Sequence, residues 1–183
     1  MKKNKVAFIS GITGMVGSHL ADFIIKNSDW EIVGLIRWRS PLDNISHLLS
    51  DINDGKRIKL VYGDLKDSIS IDRAIEATIP DYFFHLAAQS FPKTSFDAPL
   101  DTMDTNVQGT NRILESLKKY APEAFVHICS SSEVFGRVPK EKLPIDEDCT
   151  FHPASPYAIS KVGTDLIGRF YAEAYNMKVM TTR

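Results

Sequence analysis

Ser10-Gly11-Ile12-Thr13-Gly14-Met15-Val16-Gly17 stands where an apolar strand, Val6-Ala7-Phe8-Ile9, turns into an amphipathic helix, and the reading of that turn decides the fold. The glycines at 11, 14 and 17 have distinct uses. Gly11 takes the backbone angles of a tight turn, Gly14 lets a pyrophosphate approach the main chain, and Gly17 lets the helix lie close against the strand. The free amides of the helix start, aided by the helix dipole, then face the anion. Val16, Leu20, Phe23 and Ile24 recur at helical spacing and are expected to form the face that packs on a sheet. The spacing is GxxGxxG, not the GxGxxG of the commonest dinucleotide fold.

Outward from the turn, strand-like and helix-like runs alternate to the end of the chain, with no low-complexity linker and no internal repeat. Residues 30–36, 57–62, 81–86, 124–129 and 178–182 read as further strands. Helices are expected around 45–49, over 68–77, along a long stretch with Val107, Thr110, Leu114 and Leu117 on one face, and from Pro156 with Ser155 as its cap. This is the pattern of an α/β protein with a doubly wound, Rossmann-like parallel sheet, and right-handed crossovers give the strand order 3-2-1-4-5-6. Ligands of such sheets bind beyond the carboxyl ends of the strands. Every informative motif falls at such an end or on the last helix. The glycine turn follows strand one, Arg37 strand two, Asp64 strand three, Ala87-Ala88-Gln89-Ser90 strand four, and three serines with Glu133 strand five.

A chain of 183 residues, 43% hydrophobic, can bury one sizeable core, so residues 1–183 are expected to form a single domain. With 22 Lys+Arg against 23 Asp+Glu, there is no electrostatic reason to expect nucleic acid or a membrane surface as partner. Met1-Lys2-Lys3-Asn4-Lys5 leads straight into a short strand, unlike a signal peptide, and no apolar run approaches membrane-spanning length; a cytoplasmic protein is expected. Cys129 and Cys149 lack metal-ligand spacing, and Cys129, at the end of an apolar run, reads as a buried, inert thiol. His19, His47, His85, His127 and His152 lack zinc-ligand spacing and read mostly as packing or surface residues; no metal is expected.

The second strand ends about twenty residues past the glycine turn, where NAD-binding sheets place an acid on the ribose hydroxyls. Arg37 stands there instead, with Arg39 close by, and a guanidinium can bond the extra phosphate that an acid would repel; NADP is therefore the expected cofactor. Tyr157 and Lys161 lie four residues apart, on one helix face. The ammonium, together with a cationic nicotinamide ring, is expected to favour the phenolate and lower its pKa towards that of a useful general base. Ser130-Ser131-Ser132-Glu133 should face the same crevice, with a serine hydroxyl to hold a substrate oxygen and a carboxylate to move a proton from carbon. No histidine has the context of a hydrolase triad, which argues against a nucleophilic serine.

Gly11-x-x-Gly14-x-x-Gly17, Gly63-Asp64-Leu65, His85-Leu86-Ala87-Ala88-Gln89-Ser90, Asn106, Ser130-Ser131-Ser132-Glu133-Val134-Phe135-Gly136 and Ser155-Pro156-Tyr157-x-x-x-Lys161 occur in the order seen in a known family. Over essentially its whole length the chain resembles the extended short-chain dehydrogenase/reductases that modify nucleotide-activated sugars. Within that family it is most similar to GDP-mannose 4,6-dehydratases and to relatives acting on GDP-manno-heptose. The run Arg37-Trp38-Arg39-Ser40 departs from the Arg-Arg-Ser-Ser usual in the mannose enzymes and leans towards the heptose type.

The resemblance implies a cofactor site around Gly11, Thr13, Gly14, Met15, Val16 and Gly17. It adds Arg37, Asp64, Leu65, Leu86, Ala87 and Ala88, with Tyr157 and Lys161 at the nicotinamide end. It places Gln89, Ser90 and Ser131 against the substrate, a GDP-linked hexose or heptose. Ser131 would hold the sugar 4-hydroxyl, Tyr157 remove its proton and Lys161 support Tyr157; hydride would pass from carbon 4 to NADP+. Glu133 would then take the proton from carbon 5 as the carbon 6 hydroxyl leaves, and hydride returned to carbon 6 would give a 4-keto-6-deoxy sugar. Simple 4-epimerases of the family usually lack that carboxylate. Some dehydratases of other sugar nucleotides carry an Asp as dedicated acid where this chain has Ser132. A GDP-4-keto-6-deoxymannose reductase and a non-catalytic NADP-binding fragment are the competing readings. The family continues well past the position of Arg183. The chain is therefore expected to lack the C-terminal substrate-binding part, to bind NADP(H) with little turnover, and to expose apolar surface on its last helix and strand; the full-length form is expected to be a homo-oligomer.

Overall fold

The computed structural model describes residues 4–183; Met1, Lys2 and Lys3, part of the polar start, lie outside the described residues. β1 (Val6–Ser10) is buried along its whole length because parallel strands flank it on both sides, β2 (Glu31–Ile36) and β4 (Tyr82–His85). β3 (Ile58–Tyr62) extends the sheet beyond β2, and β5 (Phe125–Cys129) and β6 (Lys178–Thr182) extend it beyond β4. The order β3-β2-β1-β4-β5-β6 is the expected one. Side chains alternate across each strand, so the sheet has two cores. Ala7, Ile9 and Ile32 pack on one face with Ala21 and Ile24 of α1 (Met15–Asn27) and with Ile45 of a 3₁₀ turn, Asp43–Leu48, that runs into α2 (Leu49–Asn53).

On the other face, Phe8, Val33, Phe83 and Val126 meet Ile71 and Ile75 of α3 (Ser68–Thr78), whose first amides are capped by Asp67. Two short helices not foreseen from the sequence follow β4: α4 (Pro92–Asp97) and α5 (Pro99–Met103), each with proline in its first turn. A π-helical turn, Asp104–Gln108, joins α5 to α6 (Gly109–Tyr120), which buries Ile113, Leu114 and Leu117. α7 (Pro156–Tyr175) begins as expected, with the Ser155 hydroxyl accepting the Ala158 amide, and it leaves Leu166, Phe170 and Tyr175 exposed; Met180 of β6 is exposed too.

Two expectations need correction. Val16 and Phe23 are 52% and 63% exposed, and α1 instead packs through Gly17, Ser18, Ala21 and Ile24. The helix comes so close to the turn that a Cβ on Gly17 would lie 2.2 Å from the Gly11 carbonyl oxygen, so small residues form the contact at the start of the helix, where Val16 points away, and Ile24 joins the core further along. Cys129 is not fully buried but partly exposed, because it is the last residue of β5, at the carboxyl edge of the sheet. The first of these corrections predicts that Gly17→Ala destabilises the chain by about 3 kcal/mol, since backbone cannot yield as a side-chain end does. Urea unfolding of the variant beside the wild type checks this; equal midpoints would mean that the helix start shifts freely.

Candidate active site

The carboxyl ends of β1 to β4 open into a cleft of about 470 Å³. Gly11, with φ +79°, makes the sharp exit from β1, and a Cβ there would stand 2.9 Å from the Ala87 amide nitrogen. The Gly14 amide closes the turn on the Gly11 carbonyl at 2.9 Å, and no side chain caps the start of α1. The amides of Met15, Val16 and Gly17, the first of the helix, are thus without an intrahelical acceptor. Gly11, Thr13, Gly14, Arg37, Asp64, Leu65, Leu86, Ala87 and Ala88 line the cleft, as do Gln89 and Ser90. Met15 and Val16 present side chains to solvent at the helix start, and Gly17 faces inward, so these positions flank the cleft without lining it.

Arg37 is held at the rim by a tight turn. Its amide donates to Ser40 Oγ at 3.1 Å, the Ser40 amide returns a bond to the Arg37 carbonyl at 3.0 Å, and Arg39 takes a left-handed φ of +65° between them. Asn44 Nδ2 ties the following segment to the Thr13 carbonyl at 2.8 Å. Across the cleft mouth, Lys66 pairs with Asp101 of α5. Ser40, Lys66, Asp101 and Thr105 also line the cleft and were not singled out in the sequence, where nothing distinguishes them from ordinary loop and helix polar residues.

The second group lies past the end of β5. Ser131 caps a 3₁₀ turn, Ser132–Phe135, by accepting the Glu133 amide at 3.2 Å. Val134 and Phe135 anchor the turn in the interior, which leaves Glu133 exposed. Tyr157 and Lys161 reach the same place from α7, with the Lys161 ammonium 6.0 Å from the centre of the Tyr157 ring. The structure thus brings Ser131, Glu133, Tyr157 and Lys161 into one group, set apart from the residues lining the cleft. Ser95, fully buried on α4, fixes the first turn of α7 by accepting the Tyr157 amide at 3.1 Å while donating to the Pro92 carbonyl.

The electrostatics differ from the expected lowering of the tyrosine pKa. Burial pushes the Tyr157 phenol above its ordinary value; the Ser131 hydroxyl opposes this, and the Glu133 charge adds to it. Lys161 is itself buried, which lowers its pKa, and its Nζ donates to the Cys129 carbonyl at 2.8 Å. Desolvation outweighs pairing because the ammonium is engaged by a backbone oxygen and not by the phenol.

The family model described as GDP-mannose 4,6 dehydratase matches residues 8–183. A GDP-mannose 4,6 dehydratase of Drosophila melanogaster is 41% identical over 181 residues, which cover 96% of this chain and 45% of that protein. A GDP-mannose 4,6-dehydratase of Vibrio cholerae serotype O1 is 37% identical over 179 residues, 94% of this chain and 47% of that one. Among solved structures, DesIV, a dTDP-glucose 4,6-dehydratase from Streptomyces venezuelae with NAD and TYD bound, superposes with a TM-score of 0.82 at 29% identity over 97% of this chain and 55% of its own. A UDP-glucose 4-epimerase from Thermotoga maritima with UDP-glucose gives 0.84 at 26% identity over 97% and 54%. The chain spans about half the length of the relatives it matches. On a family match from the first strand to the last residue, and on the glycine turn and Tyr157–Lys161 pair already described, the chain belongs to the GDP-mannose 4,6-dehydratase family.

Proposed function

We propose that this chain is the cofactor-binding and catalytic part of an NADP-dependent GDP-sugar 4,6-dehydratase. The observation that carries the reading is the grouping of Ser131 and Glu133 on one short turn beside Tyr157 and Lys161. An alcohol oxidised to a ketone and then dehydrated needs a base for its hydroxyl proton and a second base for the carbon proton that the ketone acidifies. Tyr157 is suited to the first task and Glu133 to the second, while Ser131, whose lone pair takes the Glu133 amide and whose hydroxyl bonds the Tyr157 phenol, would turn its hydrogen to the sugar oxygen when substrate is bound. GDP-mannose is the substrate favoured by the relatives' names. The Trp38 departure favours a GDP-manno-heptose as the alternative.

The cleft fits a dinucleotide. Gly11 leaves the space that a Cβ would fill, the uncapped start of α1 offers amides to a diphosphate, and Arg37 stands at the rim for a ribose phosphate. When bound, NADP supplies oxidation at sugar carbon 4 and reduction at carbon 6. Lys161, released from the Cys129 carbonyl, would serve the ribose and the phenol. Exposed Leu166 and Phe170 on α7 are in keeping with a homo-oligomeric full-length form.

NADPH is expected to bind this chain roughly tenfold more tightly than NADH, since one charge-assisted bond from Arg37 contributes about 1.5 kcal/mol. Arg37→Asp should flatten or reverse that order. Calorimetric titration of both cofactors decides it, and equal wild-type affinities would remove Arg37 from cofactor choice. Incubation with GDP-mannose and NADP+, using the whole polypeptide wherever the chain is part of a longer one, separates the readings by product. A 4-keto-6-deoxy sugar without net consumption of NADPH supports the dehydratase, and stoichiometric consumption of NADPH by a keto sugar selects the reductase.

A further inference from the structure

Beneath the cleft floor runs a chain of buried polar side chains that no step of the proposed reaction uses. Ser10, at the end of β1, places Oγ 2.9 Å from His85 Nδ1 and accepts the amides of Leu86 and Ala87 at 3.2 and 3.3 Å. His85 Nε2 lies 3.1 Å from Thr110 Oγ1 at the start of α6, and Thr110 donates to the Asn106 carbonyl at 2.6 Å. Asn106, in the π turn, accepts the Gln89 amide at 2.8 Å through Oδ1 and donates through Nδ2 to the Gln89 carbonyl at 3.0 Å and Ser160 Oγ at 2.9 Å. Ser160 hands its hydrogen to the Tyr157 carbonyl at 2.6 Å. All five of Ser10, His85, Asn106, Thr110 and Ser160 are 4% exposed or less.

Counting hydrogens fixes the state of the ring. Thr110 has a single hydrogen, committed to the Asn106 carbonyl by a short bond, so towards His85 its oxygen can only accept. In the neutral ring Nε2 therefore carries the hydrogen and Nδ1 is bare, and the Ser10 hydroxyl donates to Nδ1 at 2.9 Å in preference to the Phe84 carbonyl at 3.4 Å, while its lone pairs face the Leu86 and Ala87 amides. With the hydrogen on Nδ1 instead, Thr110 would have to abandon the Asn106 carbonyl to donate to Nε2, and the Ser10 hydroxyl would be left with the longer 3.4 Å bond to the Phe84 carbonyl. A doubly protonated ring would turn the Ser10 hydroxyl from Nδ1, 2.9 Å away, to the more distant Phe84 carbonyl at 3.4 Å. It is also opposed by burial and by the Lys161 and His127 charges, which hold the His85 pKa down to about 3. Donors thus run without a break from the Ala87 amide through Ser10, His85 and Thr110 to Asn106, whose side chain continues to the first turn of α7.

We propose that His85, neutral and with its hydrogen on Nε2, is a positioning residue that sets the glycine-turn end of β1 and the Ala87 strand end against the helix carrying Tyr157. The role rests on the dehydratase reading, in which the turn holds the cofactor and Tyr157 is the base; the ring's tautomer does not. The same wiring explains how the two groups of site residues, one lining the cleft and one beyond β5, are kept in register.

Nitrogen-15 spectra of the imidazoles read the tautomer directly, and His85 should show a protonated Nε2 and a bare Nδ1 from neutral pH down to about pH 5. A ring protonated on Nδ1, or charged over that range, overturns the proposal. Three variants then test the coupling in the catalytically complete polypeptide. The longer side-chain amide of His85→Gln can still donate towards Thr110, the shorter one of His85→Asn can still accept from Ser10, and His85→Phe can do neither. Expected is a kcat on the order of tenfold lower in the phenylalanine variant with KM for the sugar nucleotide little changed, and recovery of most of that loss in His85→Gln. A phenylalanine variant with wild-type kcat, or a glutamine variant no better than asparagine, overturns the positioning role. If His85→Phe does not fold, the glutamine and asparagine pair decides. A wild type that binds no NADPH overturns the functional reading itself, a result distinct from variants that match an active wild type.

Discussion

Tyr157→Phe should lower kcat about a thousandfold while leaving the dissociation constant for NADPH within about twofold, because it deletes the proposed general base and leaves intact the cleft proposed for the dinucleotide. The ring packs as before, and the bond that seats it, from the Tyr157 amide to Ser95 Oγ, belongs to the backbone and survives the substitution. The pH profile carries more information than the rate. Phenolate is the working form, and burial raises the phenol's pKa, so activity should climb with pH along an alkaline limb that the variant lacks. Lys161 is the nearest means of bringing that limb towards neutrality, yet its Nζ is bound to the Cys129 carbonyl. Turning the ammonium towards the phenol would exchange a backbone acceptor for an ionisable one. A rate in Tyr157→Phe within tenfold of wild type would assign the proton transfer to another group and leave Tyr157 as a packing residue.

Glu133→Gln should depress dehydration by roughly a hundred- to ten-thousandfold, the range for loss of a positioned acid or base, with cofactor affinity unchanged. The isosteric amide preserves the turn: its fastenings are the Glu133 amide to Ser131 Oγ and the Gly136 amide to the Glu133 carbonyl, both main-chain donors, and the buried Val134 and Phe135. What is removed is the capacity to take a proton from carbon. In heavy water the wild type should place deuterium at carbon 5 of the sugar, and the variant should not. Dehydration at the wild-type rate with undiminished deuterium entry would exclude Glu133 from the reaction and assign the carbon 5 proton to another base. The assay also separates the two carboxylate roles that a single rate cannot, since a variant that exchanges deuterium but fails to lose water has kept its base and lost its acid.

The sheet could be read from the chain because β1, β2 and β4 are mostly apolar runs of four to six residues, and because crossover handedness leaves few orders for six parallel strands. The glycine turn was legible for the same reason: Gly11 and Gly17 answer backbone demands that only glycine meets. Helix α1 was misread by its large residues. Periodicity counts Val16 and Phe23 as a buried face, whereas a helix lying this close to a turn is seated by what it lacks, and Gly17 and Ala21 make the contact. That Ser131, Glu133, Tyr157 and Lys161 come together could be read by type and spacing, but their electrostatics could not. Whether Lys161 lowers or fails to lower the Tyr157 pKa depends on a carbonyl contributed by β5, thirty-two residues earlier, and no spacing rule reports where a backbone oxygen points. Ser95 and Ser160 were invisible as site components, and Asn106 stood out only by its place in a family's order, because their partners, Tyr157, Gln89 and one another, are assembled only by the fold.

An α-helical residue advances the helix by about 100°, and a π turn holds an extra residue within one winding, so it acts as a phase shift in an otherwise continuous rod. Here α5, the π turn Asp104–Gln108 and α6 form that rod. Thr102 before the shift and Asn106 within it reach Gln89; beyond it, Ile113, Leu114 and Leu117 belong to the core. One helix can therefore serve site and core along different azimuths without bending. Length is then the sensitive variable between Thr102 and Thr110. A substitution there changes one contact, whereas gain or loss of a single residue would rotate every cleft-facing group relative to the core, so this segment should accept changes of side chain far more readily than insertions or deletions.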